Sequence, residues 1–337
     1  MFTTIESLKG RYQLEPASLA DVDQVTALIN VCAQEIIGKN EMDPGELLAD
    51  WQDPSTNLNE DTLKVLDGNR LIAYADLLGN SPPYVRFWTW VRVHPEYRGL
   101  GLGWVLNHWV EQRARFYMQQ APADTQVVIS SFINRRDSLT LALLRDLGAE
   151  ATRYSWVMER DLDHPLPQPC WPKGVRVFNP QPQDARKVYQ LQRDAFKDHW
   201  GYVETPFEEG FQHFTTAYLN EPFYNPGLWF VAEAEDEWVG MLISTAGSSY
   251  GNEYAWVGSV GVRRDWRKQG VGKALLLQAM NAVKACGSSR IGLSVDSQSL
   301  TGATHLYEGV GMYVAEEYVR MEKELRAGLD LRTRDVE

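Results

Sequence analysis

One short stretch concentrates residues able to do chemistry: Arg267, Lys268, Gln269, Gly270, Val271 and Gly272, followed by Lys273 and the helix formers Ala274 to Leu277. A strand-like segment carrying Val260 and Val262 leads into it. Two glycines without Cβ let the backbone approach a ligand closely. The start of a helix adds unpaired N–H groups and the positive end of the helix dipole. Residues 263–273 hold five cations (Arg263, Arg264, Arg267, Lys268 and Lys273) against Asp265 alone, in a chain of net charge -12. Such a point suits a phosphate or pyrophosphate. The same residues also suit a glycine turn with a solvated basic face. The spacing is neither the dinucleotide Gly-x-Gly-x-x-Gly pattern nor the P-loop, so nicotinamide and ATP are disfavoured.

The stretch has an earlier copy: Arg98, Gly99, Gly101 and Gly103 follow Val91 and Val93. Apolar periodicity predicts a strand and a helix, a hairpin around Asp67 to Asn69, a long strand over 86–93, the glycine loop, a helix from Trp104 to Met118, a strand at 126–130, a helix over 139–147 and a strand at 155–159. The same order returns from Val175, with a long strand over 255–262, a helix over 272–285, a helix over 301–307 and a last strand over 318–325. Met158 and Glu159 recur as Met321 and Glu322, Gly148 as Gly311, and Arg98 as Arg267. A period this long marks a duplicated domain rather than a solenoid. The expected division is 1–160, a linker over 161–174 with four prolines, 175–326, and a charged tail over 327–337.

Length and composition agree with two globular domains: 337 residues, 44% apolar and 23% charged. The acidity disfavours nucleic-acid and anionic-membrane partners. Cys32, Cys170 and Cys286 make neither a disulfide framework nor a metal spacing. The first ten residues lack a secretory apolar core, and no apolar run reaches membrane-spanning length. A cytoplasmic protein is expected; the oligomeric state stays open.

The strand, the Arg-x-x-Gly-x-Gly loop of Arg267 to Gly272 and the helix resemble the acetyl-CoA-binding motif of GCN5-related N-acetyltransferases. Both copies fit, so the resemblance covers nearly the whole chain and points to the tandem-domain branch of that family. It implies an α/β (α+β) fold: two tandem domains, each a mixed, mostly antiparallel sheet flanked by helices. It implies acetyl-CoA as acyl donor, no metal, and direct attack by a primary amine of a small molecule on the thioester. A non-catalytic acyl-CoA sensor and a protein or peptide N-acetyltransferase are the alternatives.

By that resemblance Val260 and Val262 match positions whose backbone pairs with the pantetheine arm, and Arg267 through Lys273 match the pyrophosphate loop. Tyr307 matches the tyrosine set beside the thioester sulfur. In the first copy Val91, Val93, Arg98, Gly99, Gly101 and Gly103 keep the binding positions, but Leu144 stands where Tyr307 stands in the second. Leucine cannot hydrogen-bond a thiolate, so the first copy is expected to bind acetyl-CoA and to be catalytically weak or silent. The position of the glutamate base in many relatives is Trp256 here. The base is left open between Glu253, Asp296, His199, His305 and a chain of waters. The aromatics between 197 and 227, Phe207, Phe211, Phe214 and Tyr218 among them, could wall an acceptor pocket or pack a core.

Overall fold

The computed structural model describes residues 3–53, 55–299 and 302–333. Thr301, where the sequence starts a helix, and the last four residues of the tail lie outside the described residues. The chain forms two compact units, residues 1–153 with 318–331 and residues 154–317 with 332–337.

Unit 1 begins with helix α1 (Ile5–Lys9), strand β1 (Gln13–Glu15) and helices α2 (Val22–Ile37), α3 (Pro44–Trp51) and α4 (Leu58–Asp61). Strands β2 (Thr62–Asp67) and β3 (Arg70–Asp76) form the expected hairpin. Helix α2 buries Val25, Leu28, Ile29 and Cys32, a helical stripe packed with Leu66, Leu71 and Tyr74 of the hairpin.

The long strand expected over 86–93 is two strands, β4 (Arg86–Trp88) and β5 (Val91–Val93). The break has a local cause. Thr89 Oγ1 donates to the Asp76 carbonyl at 2.6 Å, and the Trp90 N–H donates to the Asp76 carboxylate at 2.7 Å. A buried side-chain acceptor thus takes a backbone donor. β5 pairs antiparallel with β3, whereas β4 pairs parallel with β6 (Val127–Asn134). The two halves of the segment therefore belong to different sheets, of order β1-β2-β3-β5 and, on the other side, β4-β6. Helix α5 (Leu102–Met118) connects β5 to β6, and helix α6 (Ser138–Asp146) follows β6.

Unit 2 takes strand β7 (Glu150–Asp161) from residue 154 onward, then strand β8 (Arg176–Phe178), helices α7 (Ala185–Phe196) and α8 (Phe207–Phe214), strands β9 (Trp229–Ala234), β10 (Glu237–Thr245) and β11 (Tyr254–Val262), helix α9 (Val271–Ala285), strand β12 (Arg290–Asp296) and helix α10 (Ala303–Glu308). Its strand order is β7-β12-β11-β10-β9-β8, parallel only at β11–β12. Both faces of this sheet are covered. Phe230 and Ala232 pack with α9, while Trp229 and Val231 face α7 and α8, the period-two alternation of a strand buried on both sides.

The last strand, β13 (Tyr313–Arg326), pairs from Tyr318 onward with β6, in unit 1, and β7 pairs with β12, in unit 2. Sequence order places each strand with its own half; the pairing is the reverse. The two strands carry the same Met-Glu pair, Met158–Glu159 and Met321–Glu322, all four buried. The proline-containing segment after β7 runs along unit 2: the His164 carbonyl accepts from Lys284 Nζ at 2.7 Å, and the Pro167 carbonyl from Asn281 Nδ2 at 3.2 Å.

Candidate active site

In each unit a parallel strand pair parts. In unit 2, β11 pairs with β12 from Tyr254 to Val257 and not beyond, and Gly258 is the extra residue of a bulge against β10. Val260 and Val262 lie on the diverging half. In unit 1, β4 leaves β6 after Trp88, and Val91 and Val93 lie on the diverging β5. A cavity of about 580 Å³ fills this opening, lined by Val91, Val93, Arg98, Gly101, Gly103 and Leu144 among others.

The glycine loops have the same geometry in both units. Gly270 and Gly101 are the N-caps of α9 and α5, at φ +94 and +93°, a left-handed conformation that glycine adopts without penalty. No neighbour would meet a Cβ at Gly270 within 4 Å, so this peptide faces open space at the helix start. Gly272 and Gly103 serve close packing instead. A Cβ there would lie 3.2 Å from Leu306 and 3.0 Å from Leu143 respectively. Lys268, Gln269 and Lys273 are exposed around the loop, and Val271 is buried, so Val271 offers only its backbone.

The motif arginines do something the sequence did not disclose. Arg267 makes two bonds to the Asp198 carboxylate, at 2.5 and 2.8 Å, and donates to the carbonyls of Ala195 and Val262. Arg98 pairs with Glu35 at 2.7 Å. Both acids stand at the C-terminal end of the first long helix of their unit, Asp198 just past α7 and Glu35 in the last turn of α2. The Arg267 guanidinium holds the Asp198 carboxyl below the usual carboxylate range. Each arginine thus anchors its loop to a helix, and Arg263 is paired with Glu237 at 2.6 Å. Arg264, Lys268 and Lys273 remain on the surface as the basic residues of the loop. The constant separation of Glu35 from Asp198, the same as that of Gly148 from Gly311, was the available signal for this pairing.

Tyr307 sits on α10 and is 7% exposed, packed in the apolar core that includes Val271 and Leu275. Burial pushes its phenol up to about 12. Of the candidate bases, His305 is 87% exposed beside Glu308, and Glu253 precedes β11 at the end away from the diverging half. Asp296 ends β12 at the open side, and His199 lies on the turn after α7. Most of the aromatic segment is core: Phe207, Phe211, Phe214 and Tyr218 pack with Tyr189 and Trp229 against the sheet. Tyr218 alone of these also reaches the bulge, donating from its hydroxyl to the Gly258 carbonyl at 3.2 Å. Gln192 Nε2 donates to Ser259 Oγ beside it at 3.0 Å.

A split parallel strand pair with a glycine-capped helix start at its mouth, built twice, is the architecture of an acyl-CoA-dependent transferase. The acetyltransferase (GNAT) family pattern matches residues 23–121 and 185–312, and the chain belongs to that family. It is an N-acetyltransferase, and acetyl-CoA is the donor the family uses. A mycothiol acetyltransferase of Salinispora arenicola is 28% identical over 316 residues, 89% of this chain and 91% of that protein. One of Thermobispora bispora is 28% identical over 254 residues, 74% and 79% of the two chains. A solved GCN5-related N-acetyltransferase from Sphaerobacter thermophilus superposes with a TM-score of 0.77 at 33% identity, covering 95% of this chain and 98% of that one. A tandem GNAT protein from the clavulanic acid biosynthesis pathway shares the fold at 16% identity, with a TM-score of 0.70 and coverage of 94% and 99%. No helix among the described residues is long and apolar enough to cross a membrane.

Proposed function

We propose that acetyl transfer to a small-molecule primary amine takes place in the cleft of unit 2, and that the cleft of unit 1 binds acetyl-CoA without transferring its acyl group. The observation that carries this reading is the contrast between Tyr307 and Leu144, set on matching helices behind matching glycine loops. Only unit 2 has a hydroxyl there to stabilise the departing thiolate. In both clefts the pyrophosphate would lie on the backbone N–H groups at the helix start, with Lys268 and Lys273 adding positive charge in unit 2. The arm would lie along Val260 and Val262, or Val91 and Val93. The name of the curated relatives favours a small molecule over a protein as acceptor.

Gly270→Glu and Gly101→Glu separate the two sites. Each sets a carboxylate at one anion cradle. Calorimetry on the unaltered chain should find two acetyl-CoA sites, and each variant should keep one. Amine-dependent release of CoA thiol should fall to background in Gly270→Glu and persist within about twofold in Gly101→Glu, because each glycine loop belongs to its own unit. Turnover lost in Gly101→Glu and kept in Gly270→Glu would reverse the assignment.

A further inference from the structure

The duplication lets each cleft be read against the other. Contacts fix the correspondence. Arg98 pairs with Glu35 as Arg267 pairs with Asp198, and Gly103 lies against Leu143 and Val93 as Gly272 lies against Leu306 and Val262. The parallel pair Trp88–Ser130 of unit 1 answers to Val257–Leu293 of unit 2. Ile36, one residue after Glu35, therefore corresponds to His199, one residue after Asp198. Ile133 corresponds to Asp296, and Leu144 to Tyr307.

Ile36, Ile133 and Leu144 all line the cavity of unit 1. The cavity is open and its wall is known, so it reports which positions of the repeat face a cleft. At these three, unit 1 has aliphatic side chains and unit 2 has an imidazole, a carboxylate and a phenol.

Contacts within unit 2 put His199 in the same place independently. Its ring packs on Phe196 at 4.4 Å between centroids, and Phe196 lies directly on β11, where a Cβ at Gly261 would come within 2.9 Å of its ring. Gly261 is on the diverging half of β11. The turn bearing His199 is held by the bidentate Asp198–Arg267 pair and by the Gly201 N–H donating to the Thr333 carbonyl.

Resting on the reading of unit 2 as the transferring cleft, we propose that His199 is its general base, with Asp296 across the cleft as the anion that favours the imidazolium. The acceptor's ammonium gives a proton to the imidazole. The freed lone pair forms the C–N bond to the thioester carbonyl carbon, and the C–S bond breaks. The sulfur leaves as thiolate, hydrogen-bonded by Tyr307. The second nitrogen proton neutralises the thiolate, and the imidazolium returns its proton to solvent. The charged groups facing His199 are Asp198 on its own turn, Arg267 on the glycine loop and Asp296 on β12. Burial outweighs the two carboxylates and holds the imidazole below its ordinary range, so it is neutral and able to accept at pH 7.

The test uses the full chain with ethanolamine, an ammonium at pH 7.5, and methoxyamine, which is neutral there. In His199→Gln, kcat/KM for ethanolamine should fall about 10²- to 10³-fold. Methoxyamine activity should fall less than about fivefold, and acetyl-CoA should bind within about threefold of the unaltered Kd, showing an intact fold. The unaltered enzyme should show kcat/KM rising with pH through an apparent pKa below 6.5; His199→Gln should lose that limb, and Asp296→Asn should move it to lower pH. Equal losses with both amines, or an acid limb that survives His199→Gln, would overturn the assignment while leaving the transferring cleft in place. No amine-dependent thiol release by the unaltered chain would overturn both.

Discussion

At the scale of single residues, the chemistry of Tyr307 is set by its burial. Passing a proton from a phenol near 12 to a thiolate whose acid has a pKa near 8.5 is uphill by about 5 kcal/mol. Hydrogen-bond donation to the departing sulfur carries no such cost, so that is the role burial permits. Tyr307→Phe should keep acetyl-CoA binding within about threefold and lower kcat about 10²-fold, the loss expected for one transition-state donor. A kcat unchanged in single-turnover measurements would remove Tyr307 from the reaction. The glycine loops were legible because two residue types recur at one spacing; Tyr307 entered only through the family resemblance, and its role is the proposal made above. The partners of Arg267 were not. An ion pair reaching from residue 267 back to residue 198 leaves no local pattern, and only the matching offset of Glu35 hints at it.

At the scale of elements, the Asp198–Arg267 pair couples the end of α7 to the loop before α9. Its side chains are mostly buried, 13% and 20% exposed, so screening by solvent is modest. Asp198→Asn removes the charge while keeping the shape. It should cost about 1.5–3 kcal/mol in urea unfolding, the range for hydrogen bonds to charged groups, and raise the KM for acetyl-CoA. The pH dependence has a definite sign. A carboxyl whose folded pKa is lowered contributes stability above its unfolded pKa and loses it as the pH falls through the folded one. The unaltered protein should therefore lose stability below about pH 4 more steeply than Asp198→Asn. The elements themselves were legible wherever one period ran long, as in α2, α5, α7 and α9. The sequence missed α8, although Phe207, Phe211, Phe214 and Tyr218 fall at helical spacing, because aromatic residues alone do not choose between a pocket wall and a core. It also missed the break at Thr89, since the buried Asp76 that causes it lies on a different strand.

At the scale of the whole molecule, two copies were legible and their strand partners were not. Periodicity says that 155–159 and 318–325 are strands, but both carry the Met-Glu pair, and nothing local says which sheet receives which. The outcome decides how the chain can be cut. Val319, Met321 and Leu325 of β13 are buried, Val319 and Met321 in a cluster with Ile133, Leu141 and Leu144 of unit 1. Burying three such side chains stabilises by roughly 5–9 kcal/mol, as much as a whole domain commonly has to spare. A fragment ending at residue 160 keeps every residue of the first sequence copy and lacks this strand. It also leaves one side of β6 as an exposed apolar edge, which invites aggregation. The fragment should therefore fail to give a cooperative thermal transition by circular dichroism. A chain joining residues 1–153 to 318–331 through a short glycine-serine linker should restore it, and with it acetyl-CoA binding in the cleft of Val91 and Val93. If 1–160 folds and binds as well as the joined chain, the exchanged strand is dispensable and the sequence boundary is the physical one. If only the joined chain does, then the C-terminal strand is part of the N-terminal site, and the copies depend on each other for folding while differing in chemistry.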